Sequence, residues 1–346
     1  MNAGVCLSLA LSALLLVTAC EPAERSQPPG RLVAAMAIDS ANYRAILFGG
    51  IGANTVHYDD VWALSLDDYR WQLLNVAGTS PGGRARHAMV YDSPNRRMLV
   101  FGGNEAAGTL FNDVWALYLA PGHERWEKLS PTGPLPEPRT LPAAVYCPTR
   151  RSLLVYGGAT VDSGTGTVFE LALDSLVWHE LASAGTKPHG RCSAGPFYDP
   201  ATNSMVIFGG VWNDFYNDAW ALDLTPGNEH WDSLPTTGTP PDVRAGFASG
   251  YVPADRKFYV TAGWGGACSP QYVYVLDMAT LTWSESIPPG PVPAWRRNPA
   301  CALDQFNGNL LVFSGDGTGG WDPVEDSTPF LQVVGGLEWH TGPGRE

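Results

Sequence analysis

Six arginines recur along the chain at intervals of 52 to 55 residues, and arginine is the side chain best suited to bind a carboxylate. Its planar guanidinium group presents a fork of N–H donors that matches the two carboxylate oxygens. Six cations gathered in one place would repel one another, so each needs a carbonyl or carboxylate partner, or the set binds an anion. Two interpretations stay open, a structural role and an acidic-ligand site. In the acidic-ligand interpretation, the ligand-binding residues are Arg84, Arg139, Arg191, Arg244 and Arg296. Arg31 is the first copy of the repeated arginine.

Tryptophan is the second residue type with binding chemistry, because its ring face stacks on sugars and on protein side chains. Of the thirteen tryptophans, nine keep fixed places in a repeat and four do not. The four could fold down to cover the core, or they could form an aromatic binding surface with Phe215 and two tyrosines. We predict the binding surface. Its candidate residues are Trp212, Trp264, Trp295, Trp321, Tyr216 and Tyr272.

The chain contains none of the common catalytic or cofactor-binding motifs. It has no GxSxG, P-loop, HExxH or dinucleotide-binding sequence, and its seven histidines are scattered. We therefore expect no cofactor and no bound metal, and we interpret the acidic stretch 316–326 as a solvated loop. An acid/base pair would indicate an enzyme, and the candidates for it are Asp214, Asp316 and Asp322. The net charge of −13 argues against nucleic-acid binding.

Glycine doublets reveal the elements that must position these residues. Four copies follow apolar runs, as in Val100-Phe101-Gly102-Gly103, and two degraded copies end at Gly263 and Gly315. Each doublet begins eighteen residues after one of the six arginines. The run before each doublet is apolar almost throughout, which predicts a strand covered on both faces. The period is typical of repeat units that cannot bury a hydrophobic face alone.

Each repeat unit is predicted to hold four short strands, which we name a to d. Strand b ends at the doublet, strand c carries an apolar segment such as Val114-Trp115-Ala116-Leu117, and strand d opens with a tryptophan. Gly, Pro, Asn and Asp fill the connections, as turns require. No window shows a long amphipathic helix. The sequence therefore predicts an all-β fold of six four-stranded antiparallel units.

This pattern resembles the kelch repeat, through its doublets, tryptophan spacing and period over about residues 31–340. Blade three lacks the strand-c tryptophan, and the doublets of blades five and six are imperfect. The resemblance implies a six-bladed β-propeller over 31–346, closed without exchange of a strand between the termini. It also implies a binding module that presents its b–c and d–a loops to a protein or glycan ligand.

A second hypothesis is a carbohydrate-active enzyme. Bacterial sialic acid mutarotases are similar in being exported six-bladed kelch propellers. An acidic sugar would suit the arginines, and its ring would suit the tryptophans. The likeness rests on fold and compartment alone, so we leave the question of enzymatic activity open and favour the binding module.

The N-terminal segment predicts export and a lipid anchor. Residues 1–19 contain an apolar core too short to span a bilayer, as in a signal peptide. The sequence ending at Cys20 resembles the bacterial lipobox, which implies lipidation of Cys20. Residues 20–30, rich in Pro and polar side chains, are predicted to be a flexible tether. We therefore expect a membrane-anchored lipoprotein at the periplasmic or outer cell surface.

Overall fold

The computed structural model describes residues 26–266, 268–269, 271–317 and 329–341. Within them the chain forms six four-stranded antiparallel sheets, each built from one contiguous stretch, together with two short 3-10 turns at Ala53–Thr55 and Ser93–Asn95. The described residues include no α-helix. The predicted all-β, six-bladed propeller is confirmed, and so is its closure without strand exchange. Cys20 and Trp321 lie outside the described residues.

The strands of each sheet follow the order a, b, c, d from the channel outward. The a strands are Ala35–Asp39, Ala88–Asp92, Ala143–Cys147, Gly195–Asp199, Ala248–Val252 and Ala300–Asp304. The b strands are Arg44–Phe48, Arg97–Phe101, Ser152–Tyr156, Ser204–Phe208, Lys257–Thr261 and Asn309–Phe313. The c strands are Val61–Ser65, Val114–Tyr118, Val168–Ala172, Ala219–Asp223, Val273–Asp277 and Phe330–Gln332. The d strands are Trp71–Leu73, Arg125–Leu129, Val177–Glu180, Trp231–Leu234, Thr282–Ser286 and Glu338–His340.

Blade five carries short additions at its edges. Thr237–Gly238 runs parallel to its d strand, and Arg244–Ala245 pairs with Trp264–Gly265 beside the b–c loop. We call the face that carries the doublets, the b–c loops and the d–a connections the upper face. The turns between a and b and between c and d lie on the lower face.

The hydrophobic core lies between the blades. Strand b is buried along its length in blades two, three, four and six, as its apolar run predicts. The apolar side chains form six main clusters, each shared by two adjacent blades, and one of them joins blade six to blade one. A blade therefore has no complete core of its own and depends on its neighbours.

The strand-d tryptophans connect each blade to the one before it. Trp126 packs on Phe48 with 4.9 Å between ring centroids, and Trp178 packs on Phe101 at 5.5 Å. The same contact closes the circle, because Trp71 of blade one packs on Phe313 of blade six at 5.2 Å. The aromatic residue that receives the tryptophan is the last one before the doublet. The doublet and the strand-d tryptophan recur together for this reason, with 21 to 25 residues from the first place of the doublet to the tryptophan.

A closed ring of six backbone hydrogen bonds surrounds the channel at the upper end of the a strands. Two residues after each repeat arginine, one residue takes a left-handed conformation with φ between 50° and 59°. Its N–H donates to the carbonyl of the corresponding residue in the preceding blade, at 2.7 to 3.4 Å. The first blade donates to the sixth, so the ring has no gap. Its members are Val33, Arg86, Leu141, Ser193, Gly246 and Asn298.

Candidate functional site

The repeat arginines lie inside the blades, with 0–1% of each side chain exposed. All six adopt one pose, in which Nη1 donates to the carbonyl of the residue eighteen positions later, at the first place of the doublet. These distances range from 3.0 to 3.2 Å. Each arginine thus has an internal oxygen partner, which is the first of the two alternatives that the sequence left open. The pose ties the start of strand a to the end of strand b.

Among the described residues, the arginine also binds an aspartate in three blades. In blade two, Nη1 of Arg84 lies 2.8 Å from Asp113, and the indole Nε1 of Trp115 donates to the other carboxylate oxygen at 2.7 Å. Blades one and four repeat this triad with Arg31, Asp60 and Trp62, and with Arg191, Asp218 and Trp220. An aromatic ring covers each guanidinium group, as Phe111 covers Arg84. These contacts match the structural interpretation.

A ligand-binding role for the repeat arginines stays a prediction. Their donors face the interior of their blades, and three of them already hold a bidentate carboxylate. Arg139, Arg244 and Arg296 bind backbone carbonyls in the same pose. Two other arginines stand in or next to the ring of hydrogen bonds that surrounds the channel.

Those arginines are Arg86 and Arg297, which the sequence analysis did not single out. Arg86 is a member of the hydrogen-bonded ring, and its Nη1 donates to Oδ1 of Asn104 at 3.1 Å. Arg297 precedes the ring member Asn298 and forms an ion pair with the buried Asp316. The ring places Arg86 and Asn298 on either side of blade one. Both arginines fall outside the repeat register, but so do ten other arginines of the chain, and no sequence signal separates these two from the rest.

The off-repeat tryptophans of the described residues lie on the upper face. Trp212 is 38% exposed, and its indole packs against Gly164 in the b–c loop of blade three, where a Cβ atom would overlap it. Trp264 meets Phe215 edge-on with 4.7 Å between centroids, and the guanidinium group of Arg297 lies 5.9 Å from its ring. Each of these contacts crosses from one blade to the next.

Trp295 and the two candidate tyrosines are held by contacts within the propeller. Nε1 of Trp295 donates to the carbonyl of Cys268 at 2.7 Å. Tyr216 covers Arg191 at 3.9 Å, and Tyr272 packs at the edge of the core shared by blades four and five. The structure therefore brings Trp264, Phe215 and Arg297 together, and Trp212, on the same loop as Phe215, packs instead toward blade three. Binding by any of these residues remains a prediction.

The three acid/base candidates do not come together in the described residues. Asp214 is exposed in the b–c loop of blade four, and Asp316 is buried beside Arg297. Asp322 lies outside the described range. Among described residues, no group of three or more His, Cys, Asp or Glu side chains could hold a metal ion. In the same residues, no helix has the length and apolar character needed to cross a membrane.

His87 is a buried titratable group near the channel, but its chemistry is structural. Neither ring nitrogen has a hydrogen-bond partner among the described residues, and the ring packs on Phe48 at 5.1 Å. Burial, assisted by the charge of Arg84, lowers the pKa of His87 to about 3. The imidazole is therefore neutral near pH 7 and enclosed.

Replacing His87 with phenylalanine is expected to make the fold less sensitive to acid. The folded pKa is depressed, so the unfolded chain binds the extra proton, and stability falls as pH drops below about 6.5. Between pH 6 and pH 4 the wild type should lose about 2 kcal/mol more than His87→Phe. Urea unfolding at several pH values measures the difference. Phe247 occupies the same register in blade five, so the substitution should fit. Parallel pH profiles would contradict the assignment.

Comparison with known proteins places the chain in a family. A family model described as the KLHDC2/KLHL20/DRC7 Kelch-repeats domain matches residues 32–197 and 149–326. The flagellar outer-arm dynein alpha chain of Chlamydomonas reinhardtii is 28% identical over 298 residues, covering 79% of this chain and 6% of the dynein. Adagio protein 3 of Arabidopsis thaliana is 27% identical over 271 residues, covering 73% of this chain and 42% of that protein. The chain spans less than half the length of either relative.

A solved structure agrees on the fold. The structure of YjhT superposes with a TM-score of 0.67 at 17% identity, covering 91% of this chain and 99% of that one. This likeness concerns architecture only. The family match spans most of the chain. It agrees with the six sheets, with their glycine doublets and arginine–aspartate–tryptophan triads, and with the tryptophans that pack between blades. The chain therefore belongs to the kelch-repeat family of β-propellers.

Proposed function

We propose that this kelch propeller is exported, anchored through a lipid on Cys20, and binds a protein partner through the upper face of blades four to six. The observation that carries the proposal is the cluster of Trp264, Phe215 and Arg297, together with the exposed Trp212 on the same loop as Phe215. None of these four residues is needed by the repeat. Large aromatics and arginine on loops of a rigid scaffold are the residues that most often dominate protein interfaces.

The local chemistry differs from the rest of the surface. The chain carries a net charge of −13, yet Arg86 and Arg297 lie at the upper mouth. A partner that presents an apolar side chain to the Trp264–Phe215 pair would complement this region. Kelch propellers generally bind proteins, which supports the same conclusion.

Truncating the exposed tryptophan is expected to weaken partner binding at least tenfold. Trp212→Ala removes aromatic contact area, and an anchoring aromatic side chain is commonly worth about 2 kcal/mol or more. The measurement is affinity capture of the partner from the source cells, followed by titration of the captured protein. Phe306→Ala is the matched control, since Phe306 is 53% exposed on the lower face. If both variants bind as tightly as the wild type, the aromatic surface is not the interface.

The anchor is tested by replacing the cysteine that would carry the lipid. Cys20→Ala should move the protein from the membrane fraction to the soluble fraction, because one acyl-modified terminus is the only anchor proposed. Cell fractionation and immunoblotting measure the distribution, and Cys6→Ala is the control within the signal segment. Membrane retention of Cys20→Ala would remove the lipidation proposal.

A sugar-converting enzyme is the second candidate, favoured by the juxtaposition of Arg297 and the Trp264 ring at the channel mouth. An arginine beside an aromatic face suits a carboxylated sugar. A glycan array probed with residues 21–346 tests binding, and NMR exchange between anomers tests turnover. Binding of acidic sugars with accelerated anomer exchange would favour the enzyme; no acceleration would exclude a mutarotase.

A further inference from the structure

In blades two to six, the d–a connection that enters a blade first runs along the outer edge of that blade's own strand d. In blade two, the N–H of Ala77 donates to the carbonyl of Glu124, and the N–H of Trp126 donates to the carbonyl of Ala77, both at 2.9 Å. The strand-d tryptophans of blades three, four and six donate in the same way, at 2.8 to 3.0 Å. Blade five forms the equivalent pairing through Thr237–Gly238. The entering chain therefore extends each of these five sheets at its outer edge.

The residue that pairs with strand d keeps a fixed place, seven positions before the repeat arginine. Its copies in blades two to six are Ala77, Thr132, Ala184, Thr237 and Pro289. A proline follows in every unit, three positions before the arginine. Counted back from Arg31, the same two positions of blade one are Glu24 and Pro28. The sequence that enters blade one thus keeps the proline of this pattern and has enough residues to reach the pairing position.

The described chain follows the path of the other connections from its first residues. Pro28 is buried, and Nε of Arg31 donates to the carbonyl of Pro29 at 3.1 Å. The repeat arginines of blades three to six make the same bond to the residue two positions before them. Ser26 lines a groove of about 910 Å³ together with Trp71 of strand d. The chain therefore lies beside the outer strand of blade one where its description begins.

One position of blade one departs from the pattern. In the other five blades, a glycine with φ between 81° and 98° follows the pairing residue, and a Cβ atom there would overlap or crowd the carbonyl oxygen of the strand-d tryptophan. These glycines are Gly78, Gly133, Gly185, Gly238 and Gly290. Blade one has Arg25 at this position. An edge contact in blade one is therefore expected to be weaker than the other five and to open more readily.

We propose that the residues just before Ser26 form the sixth of these edge contacts, in which Glu24 pairs with Trp71 of blade one. The occupant is the chain's own N-terminal segment, because this segment enters the groove at Ser26 and keeps the spacing of the other five connections. The pairing uses main-chain atoms, so it does not require a particular side chain at the pairing position. In this proposal the flexible tether predicted over 20–30 shortens to residues 20–23.

The edge contact determines which side of the propeller faces the membrane, a consequence that rests on the proposed lipid at Cys20. Cys20 precedes Glu24 by four residues, so an extended chain spans at most about 14 Å between them. The outer rim of blade one is then held beside the bilayer. Blade four stands opposite blade one in the ring of six. The Trp264 cluster therefore lies on the far side of the channel from the membrane and stays accessible to a partner.

Hydrogen exchange of single amides, measured by NMR, tests the edge contact without the lipid. Residues 21–346 are compared with a chain that begins at Ser26, which retains all six sheets. The Trp71 amide should exchange at least about tenfold faster in the shorter chain, because the carbonyl proposed to accept its proton is removed. Trp126 is the matched control. Its acceptor, Ala77, is present in both chains, so its exchange rate should not change.

A second variant keeps the test valid if the shorter chain does not fold. Arg25→Gly supplies the glycine of the other five blades, and it should slow exchange of the Trp71 amide by about threefold or more, because glycine adopts positive φ without strain. Arg25→Ala removes the charge but keeps the Cβ atom, so it should exchange as the wild type does. The proposal is overturned if Trp71 exchanges equally in the shorter chain and in residues 21–346, or equally in Arg25→Gly and Arg25→Ala.

Lipid crosslinking tests the orientation on the full lipidated chain, in vesicles of phosphatidylethanolamine and phosphatidylglycerol. A photoreactive benzoylphenylalanine replaces either Gln72 or Asp232, which are both exposed and directly follow the tryptophan that opens strand d in blades one and four. Mass spectrometry should detect lipid adducts at position 72 and not at 232. Equal adducts at the two positions overturn the orientation. A chain that does not bind the vesicles overturns the lipid anchor and the orientation together, whereas the edge contact is decided by the exchange experiment.

Discussion

Replacing Asp113 with alanine is expected to destabilise the propeller by about 3–5 kcal/mol. The substitution leaves the buried guanidinium group of Arg84 without its carboxylate and removes the acceptor of the Trp115 indole. An uncompensated charge in the interior is among the costliest defects that a single substitution creates. Urea unfolding followed by tryptophan fluorescence measures the loss.

An exposed ion pair provides the control for this result. Asp68 and Arg70 lie 3.5 Å apart with most of both side chains in solvent, so Asp68→Ala should leave the urea midpoint close to that of the wild type. Similar losses in the two variants would mean that the triad contributes no more than a surface pair. In that event the structural interpretation of the repeat arginines would fail.

Replacing Gly157 with alanine is expected to cost more than about 4 kcal/mol, or to prevent folding. Gly157 is the first glycine of its doublet, with φ of 67°, and a Cβ atom there would overlap the carbonyl oxygen of Arg191 in the next blade. That oxygen also accepts the N–H of Gly158 at 2.9 Å. The clash therefore disturbs the junction between blades three and four.

The matched control separates steric overlap from backbone strain. Gly108 has a φ of 88°, but a Cβ atom there would meet nothing within 4 Å. Gly108→Ala should cost only about 1–2 kcal/mol, the price of a left-handed alanine. Equal losses at the two positions would show that the doublet is retained for its dihedral angles alone. Soluble yield and thermal unfolding measure both variants.

The fold was predictable because its signals are local and repeated. A doublet that is glycine at both places in four of the six units, and a tryptophan that packs on the preceding strand b, recur along the chain, and six imperfect copies identify one architecture. The triads were not predicted, because Arg84 and Asp113 are separated by 29 residues and the loop between them is variable. Their absence from blade three explains why that blade also lacks its strand-c tryptophan.

The candidate site was predictable in location but not in composition. The tryptophans outside the repeat positions include Trp212 and Trp264, which were predicted to lie in loops of the upper face, and they do lie there. It did not show that Trp212 would cover Gly164, since a contact between loops of different blades depends on their final paths. Arg86 and Arg297 were not predicted, because twelve arginines lie outside the repeat positions and only the folded ring shows which of them stand near the channel.

The ring of hydrogen bonds around the channel has a consequence for how such a protein can change its ligand. Valine, arginine, leucine, serine, glycine and asparagine all occupy equivalent places in it, so closure is achieved by main-chain atoms and is indifferent to side-chain identity. Each N–H of the ring is already used within the protein, which leaves recognition at the mouth to side chains. Six neighbouring positions are thus free to diverge without loss of the scaffold, and new specificities can arise there by single substitutions.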